Sequence, residues 1–141
     1  MKSICCICGK DLDPSVRHSY GLCPLHATRD LLREYDRIES LVKYAYRNSI
    51  LCSITLLEWM AVLSDFRGCC ACCQHYTANV IEMFNPSEGY TYFNVIPACK
   101  ACSIIRRETM KKTEARIAAY LEKDRPIRLF SEMQEDHPEY E

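Results

Sequence analysis

The chain has no apolar run near the ~20 residues needed to span a membrane, so a transmembrane helix is excluded from the sequence reading. Its first residues, Met1-Lys2-Ser3-Ile4-Cys5, lack the apolar core of a secretion signal. It also lacks an excess of positive charge: 18 Lys and Arg face 19 Asp and Glu, a formal net charge of −1. General electrostatic attraction of the whole molecule to nucleic acid is thereby excluded, and any such contact has to be local. The charge is unevenly spread. Residues 1–49 sum to +2, 50–99 to −3, 100–128 to +5 and 129–141 to −5. The basic–aromatic interleaving of a single-strand stacking platform is missing too.

Eleven cysteines in 141 residues are what the sequence has in abundance. An odd count, no signal segment and clustering at short spacing argue against a secreted disulfide framework and for tetrahedral metal sites. The expected compartment is the reducing cytosol. Two modules follow from the spacing. The first reads Cys5-Cys6-Ile7-Cys8-Gly9 and, after fourteen residues beyond Cys8, Cys23-Pro24-Leu25-His26. Cys5 and Cys8 have the two-residue spacer that puts two sulfurs on one ion, and Cys23 with His26 supplies the other two corners. Cys6 is the spare thiol. The second module reads Cys69-Cys70-Ala71-Cys72-Cys73, then twenty-five residues, then Cys99-Lys100-Ala101-Cys102. Its back pair is unambiguous, while its front pair is Cys69/Cys72 or Cys70/Cys73. The expectation is two structural Zn²⁺ ions, since a closed four-ligand site leaves no position for a reacting water. Seven thiolates and two Zn²⁺ would take the charge from −1 to about −4.

The expected fold class is α+β, built of small zinc-stabilised modules: 1–49, a zinc finger and long amphipathic helix; 50–128, a second zinc domain ending in a basic helix; and 129–141, an acidic disordered tail. Leu31, Tyr35, Ile38, Val42 and Ala45 mark one face of a helix over about 28–47, with Arg29, Asp30, Arg33, Glu34 and Arg37 on its charged face and a break at Asn48-Ser49. Thr55 and Glu58 form a capping-box signature, flanked by Ile54 and Trp59 in staple positions. Trp59, Val62, Leu63 and Phe66 supply that helix's apolar face. Two apolar-aromatic stretches, 79–84 and 90–96, read as strands around a turn at 85–89. A last helix over about 103–123, buried through Met110, Ile117 and Leu121, is expected to stop before Pro126.

The run from Ile54-Thr55-Leu56-Leu57-Glu58-Trp59 to Gly68-Cys69-Cys70-Ala71-Cys72-Cys73, and the exit Asn94-Val95-Ile96-Pro97-Ala98-Cys99-Lys100-Ala101-Cys102, resemble the HNH endonuclease family. The resemblance spans 54–110, about 40% of the chain, and selects Cys70/Cys73 as the front pair. It implies a ββα-metal, treble-clef-like core in which Cys70, Cys73, Cys99 and Cys102 form a structural clip. The element around Cys23 and His26 resembles small zinc fingers that precede such domains in proteins of phages and mobile elements. The family's catalytic Asp-His falls on Glu82-Met83, and its residue after the last cysteine falls on Ser103. A thioether cannot act as general base, so the resemblance implies a scaffold without nuclease chemistry and no catalytic residues. Asn94 matches a structural position.

Three functions follow as expectations. The first is a nucleic-acid-binding module for DNA or RNA using Lys100, Arg106, Arg107 and Lys111, in a basic run continued by Lys112 and Arg116. The second is a regulator or inhibitor that binds a protein partner, aided by the acidic tail. The third is a divergent active nuclease in which His75 replaces the missing base beside Glu82.

Overall fold

The computed structural model describes residues 4, 5, 7, 9–12 and 29–127, without the side chains of 106–110. The proposed ligands Cys8, Cys23 and His26 and the tail at 129–141 lie outside the described residues, as do the side chains of Arg106, Arg107 and Met110. The elements are α1 (Arg29–Arg47), α2 (Leu56–Asp65), β1 (Val80–Met83), β2 (Val95–Ala98), α3 (Lys100–Ile104) and α4 (Arg106–Glu122). Helices with one small antiparallel sheet make an α+β arrangement. No described helix is long and apolar enough to cross a membrane.

Helix α1 ends where Asn48 donates its side-chain amide to the Tyr44 carbonyl and Ser49 takes a left-handed φ of 54°. Its buried stripe is rotated from the expected one. Leu31, Glu34, Ile38 and Ala45 are buried and Leu41 packs against them, whereas Val42 is 42% exposed. The cause is Glu34, expected on the charged face but only 4% exposed. Its Oε1 accepts from Trp59 Nε1 and from Arg37 Nη1, both at 3.0 Å. Fully buried Trp59 brings an indole N–H that requires an acceptor, and a carboxylate backed by guanidinium groups supplies it.

Helix α2 starts with the expected capping box: the Glu58 N–H donates to Thr55 Oγ1 at 3.1 Å, and the Thr55 N–H to Glu58 Oε1 at 3.0 Å. Ile54 and Trp59, in the staple positions, are both buried in the main cluster. That cluster runs from Cys5, Ile7 and Leu12 through α1 and α2 to Ile81, Tyr90, Tyr92 and Val95.

The sheet pairs Val80 with Ala98 and Met83 with Val95. The second strand therefore begins later than the expected 90–96. Asn94 is the reason. Its buried amide donates to the carbonyls of Asn85 and Gly89 and accepts from the Asn85 N–H, so residues 91–94 form a turn that anchors the 85–89 loop. In that loop Gly89 has φ +81°, and a Cβ there would lie 2.6 Å from the Leu51 carbonyl oxygen, which tolerates no other residue.

The expected single helix over 103–123 is two. Ile105, at φ −103° and ψ 36°, separates α3 from α4. The break lets α3 follow the cysteines while α4 buries Ile117 and Leu121 against Ile96 and Ala71. At the end of α4, Arg125 lies 4.4 Å from the ring centres of both Tyr92 and Tyr120. It donates to the Tyr92 carbonyl and the Tyr120 hydroxyl, which itself donates to Asp65. Burial and the Asp65 carboxylate raise the Tyr120 phenol above its usual range, keeping it a donor.

Candidate metal centre

Two chain reversals bring four cysteines together. After α2, Arg67 and Gly68 adopt consecutive left-handed φ values of 55° and 74°, turning the chain into the Cys69–Thr77 bridge. Within it the Cys70 N–H donates to the Tyr76 carbonyl, and the Gln74 N–H to the Cys70 carbonyl, with Gln74 at φ 57°. This closed loop is a knuckle that aims Cys70 and Cys73 inward. The Ala71 N–H donates to Pro97 and the Asn79 N–H to Ala98, fixing the knuckle to β2. Strand β2 then delivers Cys99 as the N-cap of α3, its Sγ accepting from the Cys102 N–H at 3.4 Å.

The ligand atoms of Cys70, Cys73, Cys99 and Cys102 all lie within 4.8 Å of one another, and Cys73 Sγ is 4.0 Å from Cys99 Sγ. A tetrahedron with metal–sulfur bonds of about 2.3 Å has sulfur–sulfur edges of about 3.8 Å, so the set fits a tetrahedral soft-metal site after small adjustments. Among the described residues this is the one such gathering of His, Cys, Asp or Glu. Cys70, Cys99 and Cys102 are buried, and Cys73 is the most exposed of the four. Cys69, the alternative front residue, turns its thiol to the Arg67 carbonyl instead.

The cluster polarises its own thiols. Burial acts to raise Cys73, but the backbone N–H groups of Tyr76 and His75 and the thiols of Cys70 and Cys102 outweigh it and hold Cys73 at about 7. Burial pushes Cys102 strongly upward, reinforced by Cys99 and Cys70. Unequal protonation of closely set sulfurs is what a metal ion removes, because it takes all four as thiolates.

The N-terminal knuckle has the same local pattern. The Gly9 N–H donates to the Cys5 carbonyl, the Cys5 N–H to the Lys10 carbonyl, Ile4 bridges Asp11, and Gly9 has φ 73°. Cys5 is thus placed as Cys70 is, and is fully buried.

Of the other expected positions, Glu82 and Ser103 meet: Ser103 Oγ donates to Glu82 Oε1 across β1 and α3. Met83 does not join them, since it packs against the main core with Ile81. Alternation along a strand separates neighbours in this way. His75 sits at the knuckle tip with its ring 4.8 Å from that of Tyr76. Lys100 and Lys111 are exposed. Arg116, expected only as a continuation of the basic run, has a further role: its Nη2 donates to the Cys72 carbonyl at 3.1 Å and ties α4 to the knuckle.

No family model, curated protein or solved structure matches this chain.

Proposed function

We propose that this protein is a zinc-stabilised, non-catalytic relative of the HNH endonucleases that contacts nucleic acid. In this reading one Zn²⁺ is held by Cys70, Cys73, Cys99 and Cys102, and a second by Cys5, Cys8, Cys23 and His26. Both ions are structural. They fix the knuckles to the core and supply no open coordination position.

The observation that carries the loss of catalysis is the disposition of Glu82, Ser103 and Met83. A hydroxyl engages the carboxylate where a second metal ligand would be needed, and the neighbouring thioether is directed into the core. Glu82 is a weak ligand for a hard cation, and the thioether of Met83, at the position of the family's base, cannot accept a proton. What supports nucleic-acid contact is the +5 segment at 100–128, in which Lys100, Lys111 and Lys112 are exposed. Arg106 and Arg107 belong to the same run by sequence. A protein partner is the second reading, favoured by Tyr46 at 86% and Ile104 at 83% exposure.

Two assays test the proposal. Incubation of plasmid DNA with the protein and Mg²⁺ or Mn²⁺ is expected to give no cleavage. Cleavage abolished by His75→Ala would make the protein an enzyme. Titration of labelled DNA and RNA at several salt concentrations is expected to show binding that weakens steeply with salt. Salt-independent or absent binding would leave the protein-partner reading.

A further inference from the structure

A cleft of about 550 Å³ lies between the end of α2, the Cys70 knuckle and the second half of α4. Arg67, Arg116 and Lys123 line it, against the single carboxylate of Asp65, which already accepts a hydrogen bond from Tyr120 at 2.8 Å. Along α4 and its C-cap residue, Lys112, Arg116, Ala119 and Lys123 follow one another at spacings of four, three and four, one helical face. Over eleven residues that face extends about 16 Å. Ala119, small and central, keeps the floor open. The rings of Phe66 and Tyr120, edge-on at 4.6 Å, form an apolar wall beside the cations.

We infer that this cleft receives the phosphate backbone of a nucleic-acid strand. The inference rests on the nucleic-acid reading above, and moves the main contact from Lys100 and the start of α4 to the second half of that helix. Three features favour it. The Arg116 guanidinium is held at the cleft by the Cys72 carbonyl, a bond that uses one of its five N–H donors and leaves the planar fork pre-oriented for phosphate. Cations converge on a concavity here, where several can engage neighbouring phosphates together, whereas Lys100 is followed by the exposed apolar pair Ile104 and Ile105. The aromatic wall suits a sugar or base next to the bound phosphate. The cleft also shares Cys70 with the metal centre, so its shape depends on the tetrad.

The competing role for these cations is to balance the metal centre, since four thiolates and one Zn²⁺ carry a charge of about −2. One experiment separates the two. Fluorescence anisotropy with a labelled DNA duplex and with a labelled single-stranded RNA would be measured between about 50 and 200 mM salt. The proteins compared are the zinc-loaded wild type, Arg67→Gln/Lys123→Gln, Arg116→Lys and Lys100→Gln/Lys111→Gln, each with its zinc content and helical circular dichroism. Removing two phosphate contacts lowers the slope of log affinity against log salt by about 1.8 on duplex and about 1.4 on single strands. The cleft double variant is expected to show that drop and at least a tenfold loss of affinity, with zinc unchanged. Arg116→Lys is expected to weaken binding with little change in slope, because charge stays and the fork is lost. The Lys100/Lys111 variant is expected to lose less. Whichever labelled strand shows the larger drop identifies the source of the phosphates. An unchanged cleft variant beside a wild type that binds would overturn the inference and leave the proposed function standing. Zinc lost in parallel with affinity would also overturn it, assigning the cations to the thiolates. A wild type that binds neither probe would remove the proposed function, and the inference with it.

Discussion

The two knuckles use one backbone device with different residues. In each, a cysteine carbonyl accepts from the N–H four residues on, and that fourth residue has a left-handed φ: Gly9 at 73° in the first, Gln74 at 57° in the second. The first closes with the Cys5 N–H on Lys10 and the second, one residue longer, with the Cys70 N–H on Tyr76. They differ in what surrounds them. Cys5 and Ile7 insert into the main core beside α1 and α2, while Cys70 belongs to a small cluster of cysteines with Ala98 and Val80. The comparison teaches that knuckle geometry is local, whereas dependence on metal follows from how much other apolar burial the segment has. On the proposed two-zinc reading, the second knuckle, whose Cys70 packs in a small cluster made mostly of cysteines, is expected to rely on its ion more.

The largest test of that difference is Cys99→Ser. Structural zinc contributes apparent binding free energies of about 10–16 kcal/mol, comparable with the whole stability of a domain. The variant is expected to lose the second zinc and the folded state of β1, β2 and α3, seen as lost chemical-shift dispersion in an NMR spectrum. A native spectrum without that zinc would break the comparison.

Next in size is Cys5→Ser against Cys6→Ser. The first is expected to lower zinc from the proposed two ions per chain to one, with α2 and the sheet retained because the β1–β2 pairing and the cysteine tetrad hold that part together without the first knuckle's ion. The second is expected to leave two. Elemental analysis decides both, and loss of zinc on changing Cys6 would mean that Cys5 is not the ligand.

A smaller effect concerns the left-handed position itself. A non-glycine residue there costs about 1 kcal/mol. Gly9→Ala is expected to destabilise the first knuckle by about that amount, with no steric component because nothing lies within 4 Å of the added Cβ. Gln74→Gly, the mirror change, is expected to stabilise the second by up to about 1 kcal/mol. Denaturant melts or chelator competition would show the opposite signs, and equal signs would contradict the shared geometry.

The finest test is a proton count in the Cys5→Ser protein, which isolates the second site. Because Cys73 is held at about 7, it is already a thiolate at pH 8, while Cys102, pushed upward, keeps its proton until metal displaces it. Zinc loading is therefore expected to release fewer protons at pH 8 than at pH 6, the difference being the proton that Cys73 has already given up. Calorimetry in buffers of different ionisation heat gives the count at each pH, and equal counts at pH 6 and pH 8 would show that Cys73 is not ionised in the metal-free site.

The capping box at Thr55 and Glu58 and the existence of two cysteine pairs around residues 70–102 were legible in the chain, because each depends on residues a fixed, short distance apart. The front pair was open between Cys69/Cys72 and Cys70/Cys73 by spacing, since both have the same spacer. The position of Gln74 and the bridge of Cys69 to Thr77 decide it in space. Glu34 was misread as a surface charge because its partner, Trp59, is twenty-five residues away. Hydrophobic periodicity cannot register a carboxylate buried for an indole. The second strand was placed too early for a similar reason: Tyr90 and Tyr92 are buried, but in a turn that Asn94 holds. Local spacing determined the α2 cap and the turns of the two knuckles, because those interactions close within a few residues of backbone. Which side of α1 is buried, that Met83 leaves Glu82 for the core, and that Arg67, Arg116 and Lys123 meet around one cleft were decided by tertiary structure alone, because each depends on contacts between segments distant in the chain.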